Sequence, residues 1–125
     1  MLDAARRPQR DRDQIENPKD PGYARDFPPA LESASGEKFS AFFAQFNRGK
    51  FGLTLDLSTP EGKTALRKLA RSADVLVENF RPGTMGKLGV GYEVLRQENP
   101  RLVYTAISGY GQTSGPVIGA VKPRG

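Results

Sequence analysis

The pattern of apolar and polar positions changes near residue 37. Before it, five prolines and no sustained periodicity lead us to expect irregular structure from residue 1 to 36, because proline interrupts helices and lacks a backbone donor. From residue 39, phenylalanines recur at the i, i+3, i+4, i+7 spacing of one helical face. They are Phe39, Phe42, Phe43 and Phe46. The opposite face is not rich in Lys or Arg, so the pattern predicts a helix whose aromatic face packs against the core rather than a membrane surface.

The next segments predict a strand, a helix and a second strand. In "FGLTLDL", residues 51 to 57, apolar residues alternate with small or polar ones, which is typical of a short strand. Thr59 can cap a following helix, Pro60 suits its first position, and Glu61 favours the positive end of the helix dipole. The predicted buried stripe of this helix is Ala65, Leu66, Leu69, Ala70 and Ala73. The apolar run at residues 75 to 77 then predicts a strand buried on both faces, and the three elements form a right-handed βαβ unit.

The last part of the chain continues this alternation of elements. After a Pro-Gly turn we expect a short helix at residues 84 to 88 and another from 92 to 98, which ends before Pro100. A strand at residues 102 to 107 leads into the glycine-rich loop "SGYGQTSGP". The fold class that these elements predict is α/β with a mainly parallel sheet.

The amino-acid composition excludes several kinds of functional site. The chain contains no cysteine and no histidine, which excludes disulfides, thiolate metal sites, most zinc sites and histidine-dependent catalysis. No apolar run approaches the ~20 residues of a membrane span, and no signal peptide is recognisable, so we expect a cytoplasmic protein without membrane contact. Although the formal charge is +5, Lys and Arg alternate with acidic residues, and we expect no nucleic-acid partner. An anionic small ligand is compatible with this charge.

Two predicted loops stand where α/β proteins bind ligands. Ligands of open parallel sheets sit at the carboxyl ends of strands, and residues 78 to 81 and 108 to 115 occupy two such ends. Arg81 offers a planar charged fork for phosphate, Asn79 can donate and accept, and Phe80 can stack on a ring. The alternative is structural: Asn79 caps a turn, Phe80 belongs to the core, and Arg81 pairs with Glu78. The loop "GYGQTSG" lacks the Gly-Lys-Ser/Thr ending of a P-loop and predicts no nucleoside triphosphate site.

Four motifs in order carry a family resemblance. They are the Asn-Arg-x-Lys turn before "LTLDL", the "PEG" helix start, "ADVLVENFRPGTM", and "NPRLVY" followed by "ISGYGQTSGP". "IENPKDPG" is also similar to an acidic segment of the same family. Together they resemble the class III coenzyme A transferases, which include formyl-CoA and carnitine CoA-transferases and the α-methylacyl-CoA racemases. The resemblance covers residues 15 to 116 and implies part of a Rossmann-like large domain that is incomplete at both ends.

The resemblance implies a binding site for coenzyme A (CoA). One coenzyme-contacting strand end of the family matches Leu55, Asp56, Leu57 and Ser58, and a second matches Asn79, Phe80 and Arg81. A basic contact in the following helix falls on Lys87. The implied substrates are CoA or acyl-CoA and a carboxylic acid acceptor, without a metal. The implied assembly is an interlocked homodimer, which we do not extend to this chain alone.

The departures from the family decide what we expect of the chain itself. Residues 1 to 14 and 117 to 125 do not resemble the family, and the position after Ile15-Glu16, often basic there, is Asn17. The family's catalytic aspartate attacks the acyl-CoA thioester, and neither Asp56 nor Asp74 matches its place. No residue is therefore assigned as catalytic.

Three interpretations of the function remain open. The first is an inactive piece of a CoA-transferase that holds part of the CoA site. The second is a non-enzymatic pseudoenzyme fragment or interaction module. The third is a piece of an acyl-CoA racemase, whose chemistry uses an Asp and His pair.

Overall fold

The computed structural model of the protein describes residues 2–5, 12–20, 22–109 and 111–112. Its main sheet has five strands in the spatial order β5-β2-β1-β6-β7, and a separate pair, β3 and β4, forms a small hairpin. The strands are β1 Leu2–Ala5, β2 Arg12–Glu16, β3 Ala30–Glu32, β4 Lys38–Ser40, β5 Lys50–Thr54, β6 Val75–Glu78 and β7 Val103–Ala106. The α-helices are α1 Ala41–Asn47, α2 Pro60–Ser72, α3 Thr84–Lys87 and α4 Tyr92–Glu98, and a short 3-10 helix spans Tyr23–Asp26.

The sheet topology places four strand ends at one edge. β2 pairs parallel with β5 and β6 pairs parallel with β7, while β1 runs antiparallel between β2 and β6. β2, β5, β6 and β7 therefore all point the same way, and the loops that follow them lie together. The α/β fold with a mainly parallel sheet is confirmed, and β1 is the one reversed strand among the described strands of the sheet. The right-handedness of the β5–α2–β6 unit stays a prediction.

Helix α2 covers the sheet and begins as the sequence predicts. The Thr59 hydroxyl accepts a hydrogen bond from the backbone N–H of Gly62 at 3.1 Å, and Pro60 occupies the first turn. This cap satisfies one of the donors that every helix start leaves unpaired. Leu66 and Ala70 are buried and form part of the core. The other core residues are Ile15, Ala73, Leu76, Met85, Val90, Leu95 and Leu102.

The prediction of irregular structure from residue 1 to 36 is wrong at three strands. β1 and β2 belong to the main sheet, and β3 pairs with β4. Their sequences "LDAA", "RDQIE" and "ALE" contain few strand-forming residues. Their extended conformation comes from pairing with distant segments, such as β6 and β5, and tertiary context of this kind overrides local preference. The remaining residues of the predicted irregular segment at 1 to 14, and the predicted tail at 117 to 125, lie outside the described residues.

The prediction that the phenylalanine stripe faces the core is also wrong. Phe39 lies in β4, and helix α1 begins only after Ser40, whose hydroxyl accepts from the N–H of Phe43 at 3.1 Å. Phe42 and Phe46 are exposed and contact each other, with ring centroids 4.7 Å apart. Because α1 has only seven residues and packs against the 3-10 helix and β4, its aromatic face does not reach the main core.

The remaining elements match their predictions with small differences at the ends. α4 has the predicted bounds, α3 ends one residue earlier than expected, and β5 stops at Thr54. In β6, Leu76 is fully buried, but Val75 and Val77 are half-buried, so only one face of this strand is completely covered. Among the described helices, none combines the length and the apolar character that a membrane crossing requires.

Candidate functional site

A cleft of about 290 Å³ opens at the carboxyl ends of β2, β5 and β6. Glu16 pairs with Thr54, and Leu2 of β1 pairs with both Ile15 and Glu78, so these strand ends lie at about the same level. The described residues that line the cleft are Ile15, Glu16, Asn17, Lys19, Leu55, Asp56, Leu57, Ser58, Phe80 and Leu88. Half of these residues are apolar, and the polar ones come from the end of β2 and from the loops after β2 and β5.

Asp56 forms hydrogen bonds and an ion pair within and around the loop after β5. Its carboxylate accepts hydrogen bonds from the backbone N–H and the hydroxyl of Ser58. Its second oxygen lies 3.0 Å from the Nζ of Lys19. The hydrogen bond from the Ser58 hydroxyl, followed by the contact with Lys19, lowers the pKa of Asp56 from 3.8 to about 2. Asp56 is therefore an anion at any physiological pH, with its position fixed by its immediate neighbours.

The turn after β6 is organised by a buried carboxylate. Glu78 accepts from the backbone N–H of Phe80 at 2.7 Å and from the hydroxyl of Tyr104 at 3.4 Å. Burial first, and then the charge of Glu78, raises the pKa of Tyr104 above its usual value, so this hydroxyl remains a donor. Glu78 bonds to these groups rather than to Arg81, so the alternative Arg81–Glu78 pair is not formed. Arg81 itself is exposed.

A second compartment of about 510 Å³ adjoins the first across Phe80. Phe42 and Phe46 form part of its wall, and Gln14 and Asn47 contribute amides. The Nζ of Lys50 donates to the Gln14 Oε1 at 3.0 Å. The buried Nε2 of Gln14 and the buried Oδ1 of Asn47 have no hydrogen-bond partner among the described residues. The compartment thus combines aromatic walls with an unused donor and an unused acceptor.

The structure brings most of the predicted site residues together. Leu55, Asp56, Leu57, Ser58 and Phe80 line the first cleft, and Asn79 lines the adjoining compartment. The other two predicted residues are exposed and line neither space; they are Arg81 and Lys87. The binding roles of all eight residues stay predictions.

Lys19 and Gln14 belong to this region and were not predicted from the sequence. The contact of Lys19 with Asp56 joins residues 37 positions apart, and no local pattern announces it. The available signal was indirect: Lys19 follows closely on Asn17, at which the family resemblance leads one to expect a basic residue. Gln14 gave no signal, because β2 itself was not predicted.

The lowered pKa of Asp56 leads to a prediction about how stability depends on pH. A carboxyl group with a lowered pKa stabilises the folded chain at pH values above its unfolded pKa, and this contribution is lost as the pH falls through about 2. The carboxyl carbon of Asp56, followed by NMR, should therefore titrate near pH 2. Ser58→Ala should move the midpoint toward 3.8, because the hydrogen bond from the Ser58 hydroxyl is the largest single cause of the lowered pKa. Equal midpoints in the wild type and Ser58→Ala would contradict this assignment.

Comparison with known proteins identifies the family of this chain. The family model described as CoA-transferase family III matches residues 14–120. The chain belongs to this family. Succinate–glutarate CoA-transferase of Agrobacterium fabrum is 47% identical over 101 residues, which are 79% of this chain and 25% of the relative. Human α-methylacyl-CoA racemase is 50% identical over 70 residues, or 56% of this chain and 18% of the racemase.

Solved structures of the family share the fold. A CaiB/BaiF family protein from Brucella suis superposes with a TM-score of 0.71 at 39% sequence identity, over 81% of this chain and 26% of that protein. Rv3272 from Mycobacterium tuberculosis superposes with a TM-score of 0.69 at 39% identity, over 82% of this chain and 27% of that protein. The chain therefore spans about a quarter of the length of the relatives that it matches.

Proposed function

We propose that this chain forms part of the CoA-binding site of a CoA-transferase, which moves CoA between an acyl-CoA donor and a carboxylic acid acceptor. One observation carries the proposal. The segments that match two coenzyme-contacting strand ends of the family, Leu55 to Ser58 and Asn79 to Phe80, line two adjoining spaces at a single edge of the sheet. Elongated ligands of α/β proteins bind at this edge. We further propose that residues 15 to 116 form part of a CoA-binding domain.

The chemistry of the turn after β6 supports binding of the nucleotide end of CoA. Phe80 presents its ring to both spaces, and aromatic rings stack on bases or cover apolar segments. Arg81 follows Phe80 in the sequence, and Lys87 precedes Leu88; Phe80 and Leu88 both line the first cleft. The side chains of Arg81 and Lys87 are exposed. Guanidinium and ammonium groups at such a rim bind phosphates with charge-assisted hydrogen bonds. The Glu78 carboxylate fixes the turn through the N–H of Phe80 and so prepares it for the ligand.

The relatives suggest the substrates of the whole protein. Their names include succinate, glutarate, mesaconate and oxalate, all of which are carboxylic acids. We propose a carboxylic acid acceptor and an acyl-CoA donor, in the cytoplasm. The alternative is a piece of an acyl-CoA racemase, supported by the 50% identity to the human racemase. Both alternatives use the same CoA site, and the racemase alternative would require a catalytic histidine from outside these 125 residues, which contain none.

Arg81→Ala tests the proposed function directly. The chain should bind the fluorescent analogue etheno-CoA weakly, with a Kd of about 10⁻⁴ M or higher, because few of the contacts of a complete site are present. Loss of one charge-assisted contact, worth about 1.5–3 kcal/mol, should weaken binding by about 10- to 100-fold. Fluorescence anisotropy of the analogue at a low, fixed concentration, titrated with protein up to the millimolar range, compares both affinities.

Arg101→Ala is the matched control for this variant. Arg101 is an exposed arginine two residues before the start of β7, at the opposite edge of the sheet. Its replacement removes the same charge from the chain and should leave the Kd unchanged. If the wild type and Arg81→Ala bind the analogue equally well, Arg81 does not contact a phosphate.

A further inference from the structure

The charged residues that line the first cleft are mostly negative, which is unfavourable for an anionic ligand. Among the described residues that line it, Glu16 and Asp56 carry carboxylates, and Lys19 is the only cation. The Glu16 carboxylate is paired with Arg25, whose Nη2 lies 2.8 Å from the Glu16 Oε2. The charge of Asp56 has no comparable partner inside the loop, because both of its hydrogen bonds from Ser58 come from neutral groups. Without Lys19, a phosphate entering here would meet an uncompensated negative charge.

The position of Lys19 allows it to contact a ligand directly, in addition to neutralising Asp56. Its side chain is 76% exposed, whereas that of Asp56 is 21% exposed, so the ammonium covers the carboxylate from the solvent side. An ammonium has three donors, and the contact with the Asp56 Oδ2 at 3.0 Å uses one of them. Asp56 does not depend on Lys19 for its position, because the Ser58 N–H and hydroxyl hold the carboxylate. Lys19 can therefore turn toward a ligand without disturbing the loop.

We propose that Lys19 is a ligand-binding residue of this cleft, which neutralises Asp56 and donates a further hydrogen bond to a phosphate of the bound coenzyme. This inference rests on the proposed function and names the group that admits the anion. It assigns opposite effects to the two partners of the ion pair. Lys19 favours binding of the phosphate, and Asp56 opposes it.

Four variants test the inference by anisotropy of etheno-CoA. Lys19→Ala should weaken binding by about tenfold, the lower end of the effect of a charge-assisted hydrogen bond. Lys19→Arg, which keeps the charge, should retain most of the affinity. Asp56→Asn should bind more tightly than the wild type, because it releases the ammonium and removes the repulsion. The double variant Lys19→Ala/Asp56→Asn should recover part of the affinity that Lys19→Ala loses.

Controls separate this role from a structural one. Lys68→Ala removes an exposed lysine from helix α2, outside the cleft, and should not change the Kd. Competition with unlabelled pantetheine, which has no phosphate, should be the same for the wild type and Lys19→Ala. Thermal unfolding midpoints of the two should also agree, because exposed ion pairs contribute little to stability.

The outcomes distinguish the inference from the proposed function. If the wild type binds the analogue but Lys19→Ala binds equally well, the role of Lys19 is refuted and the CoA site stands. The same holds if Lys19→Ala weakens pantetheine competition as much as it weakens CoA binding. If the wild type shows no binding at all, both the proposed function and the role of Lys19 are refuted.

Discussion

Gly62→Ala should destabilise the chain and damage the candidate site at the same time. A Cβ added at Gly62 would lie 2.0 Å from the backbone oxygen of Asp56 and 2.7 Å from its carbonyl carbon. Backbone atoms cannot move aside as a flexible side chain can, so helix α2 and the Asp56 loop must separate. Overpacking of this kind costs about 1–3 kcal/mol or more, and it exceeds the gain of up to about 1 kcal/mol that alanine brings to a helix.

The measurement for Gly62→Ala has two parts. Urea unfolding should show a lower midpoint, and etheno-CoA binding should be lost because the segment from Leu55 to Ser58, which forms one wall of the cleft, is displaced. Gly86→Ala is the matched control, because Gly86 also lies in a helix but a Cβ there would meet nothing within 4 Å. That control should keep or raise the stability. A Gly62→Ala protein as stable as Gly86→Ala would show that the close approach of α2 to the Asp56 loop is absent.

The elements from β5 to β7 could be predicted from the sequence because their signals are local. The Thr59 cap, the proline after it and the buried stripe of α2 all lie within a few residues of the structure that they determine. β1 and β2 could not be predicted, because their strand conformation depends on pairing with β6 and β5, which are distant in the sequence. The phenylalanines of α1 have helical spacing, but spacing cannot tell whether a short helix will reach the main core.

The candidate site was predictable only where it follows the strand ends. Asp56 and Phe80 directly follow or adjoin parallel strands, so topology alone brings them to one edge of the sheet. The partner of Asp56 was not predictable, since Lys19 reaches it through space from a turn after β2. The same holds for Glu78, whose bond to the N–H of Phe80 sets the geometry of the turn. Ion pairs and backbone hydrogen bonds of this kind depend on the three-dimensional fold and leave no local pattern in the sequence.

The chain by itself should not transfer CoA from an acyl-CoA to a carboxylic acid. In the mechanism that the family resemblance implies, transfer begins with a carboxylate attacking the thioester carbon, and correct positioning of reactants accounts for roughly 7–11 kcal/mol of such barriers. Asp56 accepts hydrogen bonds from Ser58 on one carboxylate oxygen and contacts Lys19 with the other, and these interactions reduce its nucleophilicity. Asp74 precedes β6 and therefore lies at the opposite edge of the sheet from the cleft. Contacts with the nucleotide end of CoA cannot lower the barrier without a reacting group.

The assay for transfer combines turnover with a search for a covalent intermediate. The chain is incubated with succinyl-CoA and labelled glutarate, and mass spectrometry follows both the product and the protein. The Agrobacterium fabrum succinate–glutarate CoA-transferase, run in parallel, should turn over and so validates the conditions. We expect no turnover above background and no adduct on this chain. Turnover, or an acyl or CoA adduct on Asp56, Asp74 or the half-buried Glu16 that lines both spaces, would show that a carboxylate of this chain is positioned for the reaction after all.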